Sequence, residues 1–250
     1  MKQRTTRTAI ITGSGRGIGK ENAILLAKSG MNVVVCSRTQ SEINSVVQEI
    51  KQIHNLSNDY TDQEGVFGIK CDVTVPSEVD SLMNLTIEKY GGDNIDILVN
   101  NAGVVFNRKI IDTTEQEWDQ TISTNLKSGF LFTKAVLPYM MKKNFGVIVN
   151  VSSGAGKAGF ENLSAYRASK FGLIGLSESV ALEVAAYNIR VLTICPGEVS
   201  TKMWQDFDYS FYKQNKDKML KPQKVAERIL EMIFEAKNYE NGKLVDIYNS

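Results

Sequence analysis

TGSGRGIGKE, residues 12–21, sets four glycines into seven positions directly behind the apolar run TAIIT (8–12). A glycine-rich turn from strand to helix aims backbone N–H groups and a helix N-terminus at one point, and so holds phosphate. Which phosphate it holds decides what the rest of the chain must be. A triphosphate loop needs G-x-x-x-x-G-K followed by Ser or Thr, whose hydroxyl ligates magnesium. Gly19 and Lys20 supply the GK pair, but Ser14 stands where the leading glycine belongs and Glu21 where the hydroxyl belongs. The common dinucleotide fingerprint G-x-G-x-x-G fails as well, its last position being Ile18 counted from Gly13 and Lys20 counted from Gly15. What survives is T-G-x-x-x-G-x-G, filled by Thr12, Gly13, Gly17 and Gly19. It keeps the physics of the dinucleotide turn: a tight exit from the strand, close backbone approach to a pyrophosphate, and a helix N-terminus facing its charge.

Outward from this turn, strand-like and helix-like segments alternate along the chain. Strands are predicted at 8–12, 32–36, 66–71, 96–100, 147–151, 190–195 and 243–248, rich in Val and Ile and without strict alternation. That composition suits strands covered on both faces. Helices are predicted at 17–29, 40–54, 76–90, 114–143, 164–187 and 222–237, and the polar stretch 55–64 (NLSNDYTDQE) reads as a solvated loop. No linker or repeat interrupts the pattern. The expected fold is α/β: a single Rossmann-type domain over residues 1–250, doubly wound, its parallel sheet of about seven strands carrying helices on both faces.

Composition narrows the function. Lys plus Arg (29) nearly balance Asp plus Glu (28), so there is no basic field for nucleic acid and no pull toward anionic membrane. No run reaches the ~18 apolar residues of a membrane span, and the N-terminus lacks an apolar signal segment, so a cytoplasmic location is expected. Cys36, Cys71 and Cys195 each end a strand-like run. An odd count without C-x-x-C spacing argues for buried core thiols rather than disulfides or zinc. His54 is the only histidine. A His-rich metal site is therefore excluded, no metal is expected, and any acid–base group must be another residue.

Four further strings complete the pattern: LVNNAG (98–103), NVSSGAG (150–156), YRASK (166–170) and CPGEVST (195–201). With TGSGRGIG they resemble the short-chain dehydrogenase/reductase family, in its single-domain, 3-oxoacyl reductase-like branch, with every motif in order across essentially the whole chain. The resemblance implies an oxidoreductase that interconverts a carbonyl and a secondary alcohol on a small molecule, without metal, as a homotetramer or homodimer. Tyr166 and Lys170 lie four residues apart at a helix start and so project from one face. A free tyrosine titrates near pH ~10, and making it useful at neutral pH requires about 3–4 kcal/mol of differential stabilisation. The nearby ammonium and the charged nicotinamide ring of the oxidised cofactor are expected to supply it, making Tyr166 the general acid and base. Ser153, 13 residues before Tyr166, matches the family's catalytic serine and would stabilise alkoxide charge, with Ser152 as the alternative. Asn125, in STNLKSG, matches the family asparagine at a helix distortion and by resemblance anchors a water that links Lys170 to solvent.

The same comparison supplies the cofactor contacts. The loop Gly13, Ser14, Gly15, Arg16, Gly17, Ile18 and Gly19 would hold the pyrophosphate, and Lys170 the nicotinamide ribose. Asp72 and Val73 would border the adenine, and Asn101 and Gly103 the adenosine ribose. Pro196, Val199 and Thr201 would meet the nicotinamide. NAD sites place an acid after the second strand to accept from the ribose 2′-hydroxyl. Here Ser37 and Arg38 stand there, and the first acid downstream is Glu42. A guanidinium clamps a 2′-phosphate, and Arg16 could approach the same group, so NADP(H) is expected rather than NAD(H).

Residues 201–220 are expected to form a substrate lid, from Met203, Trp204, Phe207, Tyr209, Phe211 and Tyr212, or else to pack on the core or a neighbouring subunit. Two alternatives stay open. A 3-oxoacyl reductase acting on carrier protein or CoA would want basic residues where Asn144 and Tyr187 stand. A non-catalytic NADP(H)-binding regulator would be expected to lose part of the Asn, Ser, Tyr and Lys set, and this chain keeps all four. The ending LVDIYNS replaces the V-D-G-G turn of many relatives, so the subunit contact built there is expected to differ.

Overall fold

β1 (Thr8–Thr12), β2 (Asn32–Ser37), β3 (Val66–Lys70), β4 (Ile95–Asn100), β5 (Gly146–Val151), β6 (Ile189–Pro196) and β7 (Leu244–Ile247) form one sheet in the order β3-β2-β1-β4-β5-β6-β7. All six pairings are parallel. The structure, a computed structural model, describes residues 6–56 and 65–249. The chain winds outward from β1 to one edge, returns to β4 and winds outward to the other. At that reversal the connections leave in opposite directions, opening a crevice at the carboxyl ends of β1 and β4.

β1, β4 and β5 are buried along their whole length, as Val- and Ile-rich strands without alternation require. Nine helices are described: α1 (Gly17–Lys28), α2 (Gln40–Leu56), α3 (Pro76–Tyr90), α4 (Glu115–Ile122), α5 (Ser128–Lys143), α6 (Ser164–Glu183), α7 (Lys202–Phe207), α8 (Tyr209–Asn215) and α9 (Pro222–Phe234). Alternate residues of each strand feed two separate cores. Ala9, Ile11, Val33 and Val99 pack against Leu26 of α1 and Ile229 of α9. Ile10, Val34, Leu98 and Ile148 pack against Leu82 of α3 and Phe132 of α5. Each fully buried side chain of this size contributes about 1.5–3 kcal/mol. The three cysteines are buried with free thiols. No described helix is long and apolar enough to cross a membrane.

Local signals account for the helix ends. Pro76 and Pro222 open α3 and α9, where the missing N–H is not needed. Thr114 and Glu117 form a reciprocal cap on α4. Asn144 closes α5 in the left-handed conformation (φ 55°), and its Oδ1 accepts from Asn188 N–H at 2.9 Å.

Several expected boundaries are corrected. The helix read over 114–143 is two helices joined by a π turn at Ser123–Lys127, where Ser128 N–H bonds Ser123 O and an extra residue is accommodated. α6 stops at Glu183, because Tyr187 N–H closes a turn onto Val184 O (2.9 Å) that redirects the chain into β6. α9 stops at Phe234, before a short 3₁₀ turn. Cys71 lies just beyond β3. Of the expected loop 55–64, residues 55 and 56 extend α2, and the remainder lies outside the described residues.

Candidate active site

The β1–α1 turn forms the wall of the crevice. Gly13 (φ 64°) and Gly17 (φ 58°) adopt left-handed conformations that side chains disfavour. Gly19 is fixed by packing instead: a Cβ there would fall 2.5 Å from both Asn101 Nδ2 and Gly13 O. Arg16 precedes α1 without providing a side-chain cap, which leaves the positive helix end and its first N–H groups for an anion. Ser14 points the other way. Its hydroxyl donates to Ile11 O (2.8 Å) and accepts from Cys36 N–H (2.9 Å), so it staples the turn to β2. The Ser14 side chain is thus occupied within the fold. Gly15 and Gly19 likewise shape the turn without lining the cleft.

Polar side chains lock the neighbouring strand ends together. Thr12 Oγ1 accepts from Asn101 N (2.9 Å) and Ala102 N (3.0 Å), while Asn101 Nδ2 donates to Thr12 O (2.9 Å). Behind them Asn100 Nδ2 donates to Asn150 Oδ1 (2.8 Å) and Asn150 Nδ2 to Ser177 Oγ (2.8 Å), tying β4 through β5 to α6. The asparagines of LVNNAG and NVSS therefore set the mutual position of the strand ends.

Between these ends lies a cleft of about 990 Å³. It gathers Gly13, Arg16, Gly17, Ile18, Ser37, Arg38, Asp72, Val73, Asn101, Gly103, Ser153, Tyr166, Lys170, Pro196, Val199 and Thr201 from segments far apart in sequence. Burial alone would raise the Asp72 carboxyl, but hydrogen bonds from Thr74 N–H and hydroxyl and the charge of Arg38 hold it below the ordinary carboxylate range. Glu42, read in the sequence only as a distant acid, lies within the cleft: its carboxylate pairs with Arg16 (3.3 Å) and accepts from Ser37 Oγ (3.3 Å). The available signal was its place in the first turn of α2, which folds back over the end of β2.

At the far end Tyr166 and Lys170 project from the first turns of α6. The Ser153 hydroxyl lies close enough to the Tyr166 phenol to favour its ionised form, and both line the cleft. Ser152 is buried and donates to Lys170 O (3.1 Å), so Ser153 is the serine facing the phenol. Lys170 Nζ donates to Val151 O (2.8 Å) and lies 5.6 Å from the Tyr166 ring centroid. The protein groups alone, without a nicotinamide charge, do not acidify the phenol. Burial pushes Tyr166 above its ordinary value, outweighing the Ser153 hydroxyl and the charge of Arg167. Burial also pushes the Lys170 ammonium down to about 8. Both groups lose water at the floor of one cleft, and desolvation opposes charge on either. Raised by burial, the Tyr166 phenol keeps its proton at neutral pH.

Asn125 sits in the π turn, buried and outside the cleft lining. Its Nδ2 donates to Val104 O (2.9 Å) and Ser169 Oγ (3.0 Å), and its Oδ1 accepts from Val104 N–H (2.8 Å). Ser169 Oγ in turn donates to Tyr166 O (2.6 Å). The amide thus clamps the loop after β4 onto the Tyr166 turn, in contacts the sequence reading did not include.

The low value for Lys170 makes a stability prediction. In the unfolded chain Lys170 keeps its proton up to about pH 10.5, whereas in the fold it releases it near 8. The fold is therefore penalised fully below pH 8, and the penalty fades as pH rises from 8 to 10.5. Lys170→Met is expected to be more stable than the parent at pH 7, by about 2 kcal/mol after the lost bond to Val151 O is discounted. Melting curves at pH 7 and 10 check this; equal Tm values at pH 7 would refute it.

The cleft also has an apolar lining. Val104, Val105, Leu163, Met203, Trp204 and Phe207 line this part of the cleft together with the exposed Phe160. Trp204 packs edge-on to Phe207 (5.1 Å between centroids) and stacks on Phe211 (5.4 Å). Of the aromatic set expected over 201–220, Tyr209, Phe211 and Tyr212 lie outside the lining. Tyr248 and Asn249 line it unforeseen. Ile247 pairs with Pro196, so the residues after it emerge at the carboxyl edge of the sheet, beside the cleft.

Comparison with known proteins agrees with this geometry. The short chain dehydrogenase family model matches residues 7–210. The chain is 40% identical over 199 residues to a D-beta-hydroxybutyrate dehydrogenase of Rhizobium meliloti (strain 1021), covering 79% of this chain and 73% of that protein. It is 32% identical over 246 residues to a 3-oxoacyl-(acyl-carrier-protein) reductase of Thermotoga maritima, covering 96% of each. Among solved structures, an actinorhodin polyketide ketoreductase with NADPH superposes with a TM-score of 0.86 at 28% identity, over 100% of this chain and 98% of that one. A 7α-hydroxysteroid dehydrogenase complexed with NADH and 7-oxo glycochenodeoxycholic acid superposes with a TM-score of 0.87 at 30% identity, over 99% and 95%.

Proposed function

The chain belongs to the short-chain dehydrogenase family, and from that premise we propose that it is an NADP(H)-dependent oxidoreductase interconverting a carbonyl and a secondary alcohol, with Tyr166 as general acid and base. The observation that carries the reading is the convergence of Ser153, Tyr166 and Lys170, whose Nζ lies 5.6 Å from the Tyr166 ring centroid, in the same cleft as the glycine turn.

The left-handed glycines and the uncapped α1 suit a pyrophosphate. Gly13, Arg16, Gly17 and Ile18 would hold it, with Ser37 and Arg38 at the 2′-phosphate and Asp72 and Val73 at the adenine. Asn101 and Gly103 would border the adenosine ribose and Lys170 the other ribose, with Pro196, Val199 and Thr201 against the nicotinamide. When bound, the cofactor supplies or accepts a hydride. In reduction Tyr166 donates its proton to the substrate oxygen, a task suited to a phenol that burial keeps neutral. Ser153 donates a hydrogen bond to the same oxygen and stabilises its developing charge. Lys170, charged below about pH 8, adds positive potential beneath the phenol. Residues 201–220 would act as the lid, with Met203, Trp204 and Phe207 excluding water.

The similarity to a carrier-protein reductase raises that activity as a second reading. The two lysines just before Asn144, where a carrier-protein reductase would want a basic residue, are already paired, Lys142 with Asp93 (3.2 Å) and Lys143 with Asp96 (2.9 Å), which leaves little positive charge for an acidic carrier. A panel of ketones, secondary alcohols and 3-oxoacyl thioesters, followed by nicotinamide absorbance, tests the proposal. Cofactor turnover with free carbonyl compounds is expected. Turnover of carrier-bound thioesters alone would replace the first reading by the second, and none with any compound would favour a binding-only role.

A further inference from the structure

The corner of the cleft at the end of β2 contains more carboxylate than a 2′-phosphate site needs. Glu42 reaches back from the first turn of α2 over the β1–α1 turn. Its Oε1 lies 3.3 Å from Arg16 Nη1, and its Oε2 accepts from Ser37 Oγ at 3.3 Å. The approach depends on Gly15, where a Cβ would fall 2.7 Å from Oε2. Arg38 meanwhile balances Asp72. Of the two guanidinium groups that could clamp a phosphate, Arg16 is thus already paired with a carboxylate, while Arg38 acts on Asp72 only through its charge.

We propose that Glu42 sets the ratio in which the protein binds NADPH and NADH, by holding Arg16 in an ion pair that a 2′-phosphate must displace. This rests on the reading of the cleft as a nicotinamide dinucleotide site. A phosphate dianion entering this corner meets the Glu42 carboxylate as a like charge and must win Arg16 from it. A ribose that carries only a hydroxyl meets no such opposition and can donate to the carboxylate. Glu42 therefore penalises one cofactor selectively, partly through Arg16, without touching the reacting atoms.

The test is a pair of fluorescence titrations, NADPH and NADH, without substrate. They are run on the parent, Glu42→Gln, Glu42→Asp, Arg16→Gln and the Glu42→Gln/Arg16→Gln double variant. Glu42→Gln is expected to tighten NADPH relative to NADH by about tenfold or more, and Glu42→Asp, which keeps the charge, by under about threefold. In the Arg16→Gln background the effect of Glu42→Gln is expected to shrink to less than half of its logarithm. A Glu42→Gln ratio within about twofold of the parent overturns the proposal, and so does an effect that is undiminished without Arg16. Parent protein that binds neither dinucleotide sinks the underlying reading instead. The parent's own preference for NADPH or NADH decides the cofactor assignment separately.

Discussion

Tyr166→Phe is expected to lower kcat for carbonyl reduction by about 10³-fold, within the range for loss of a general acid, while cofactor Kd stays within about twofold. The substitution removes one oxygen and keeps the ring, so the contact with the Lys170 ammonium, 5.6 Å from the ring centroid, survives. Lys170 keeps its own bond to Val151 O, and the glycine turn and the end of β2 are untouched. Ser153 retains its hydroxyl but loses the partner that would deliver the proton. The loss should therefore fall on kcat rather than on binding. Comparing turnover with cofactor titration separates the two, and turnover at the parent rate would end the role given to Tyr166. The pH dependence carries the same signature. Raised by burial, the phenol stays protonated across neutral pH, so the decline of reduction on the alkaline side should begin near pH 8, where Lys170 loses its charge.

Arg38→Asp is the second large effect. It is expected to weaken NADPH binding by about 100-fold and to turn the preference to NADH. Arg38 is exposed, so no packing is lost with it. What changes is charge. The parent corner holds Arg16 and Arg38 against Glu42 and Asp72. The variant leaves one guanidinium among three carboxylates, and a phosphate dianion is then repelled. A free ribose hydroxyl gains an acceptor instead. Kd for the two cofactors reads the outcome, and a ratio within about threefold of the parent would remove Arg38 from the 2′-phosphate site.

How legible this was in the sequence depends on the range of the interactions involved. The strands followed from Val and Ile runs, and the parallel, doubly wound sheet from alternation with helices, because both are local patterns that burial on two faces enforces; the strand order came from the structure. The glycine turn was legible because Gly13 and Gly17 are needed for their backbone angle and Gly19 for its close approach. The Tyr166–Lys170 pair followed from helical spacing, and a distortion at Asn125 from resemblance alone. Contacts made by chain segments folding back were not legible. Ser14 turned inward because β2 offers it Cys36 N–H. Glu42 met Arg16 only because α2 starts over the β1–α1 turn. Tyr248 reached the cleft through the pairing of β7 with β6. The burial that shifts Tyr166 and Lys170 was not legible for the same reason. Spacing reveals a neighbouring charge but not how much water both groups have lost.

The central claim is that this cleft moves a hydride between a nicotinamide and a carbonyl carbon. Reduction of a ketone panel with NADPH deuterated at the transferable position, followed by mass spectrometry of the alcohols, tests it most directly. One deuterium on the carbinol carbon of the product, formed about 10³-fold more slowly with Tyr166→Phe, is the expected result. Alcohol carrying only solvent hydrogen at that carbon, or no reduction across the panel, would contradict the account.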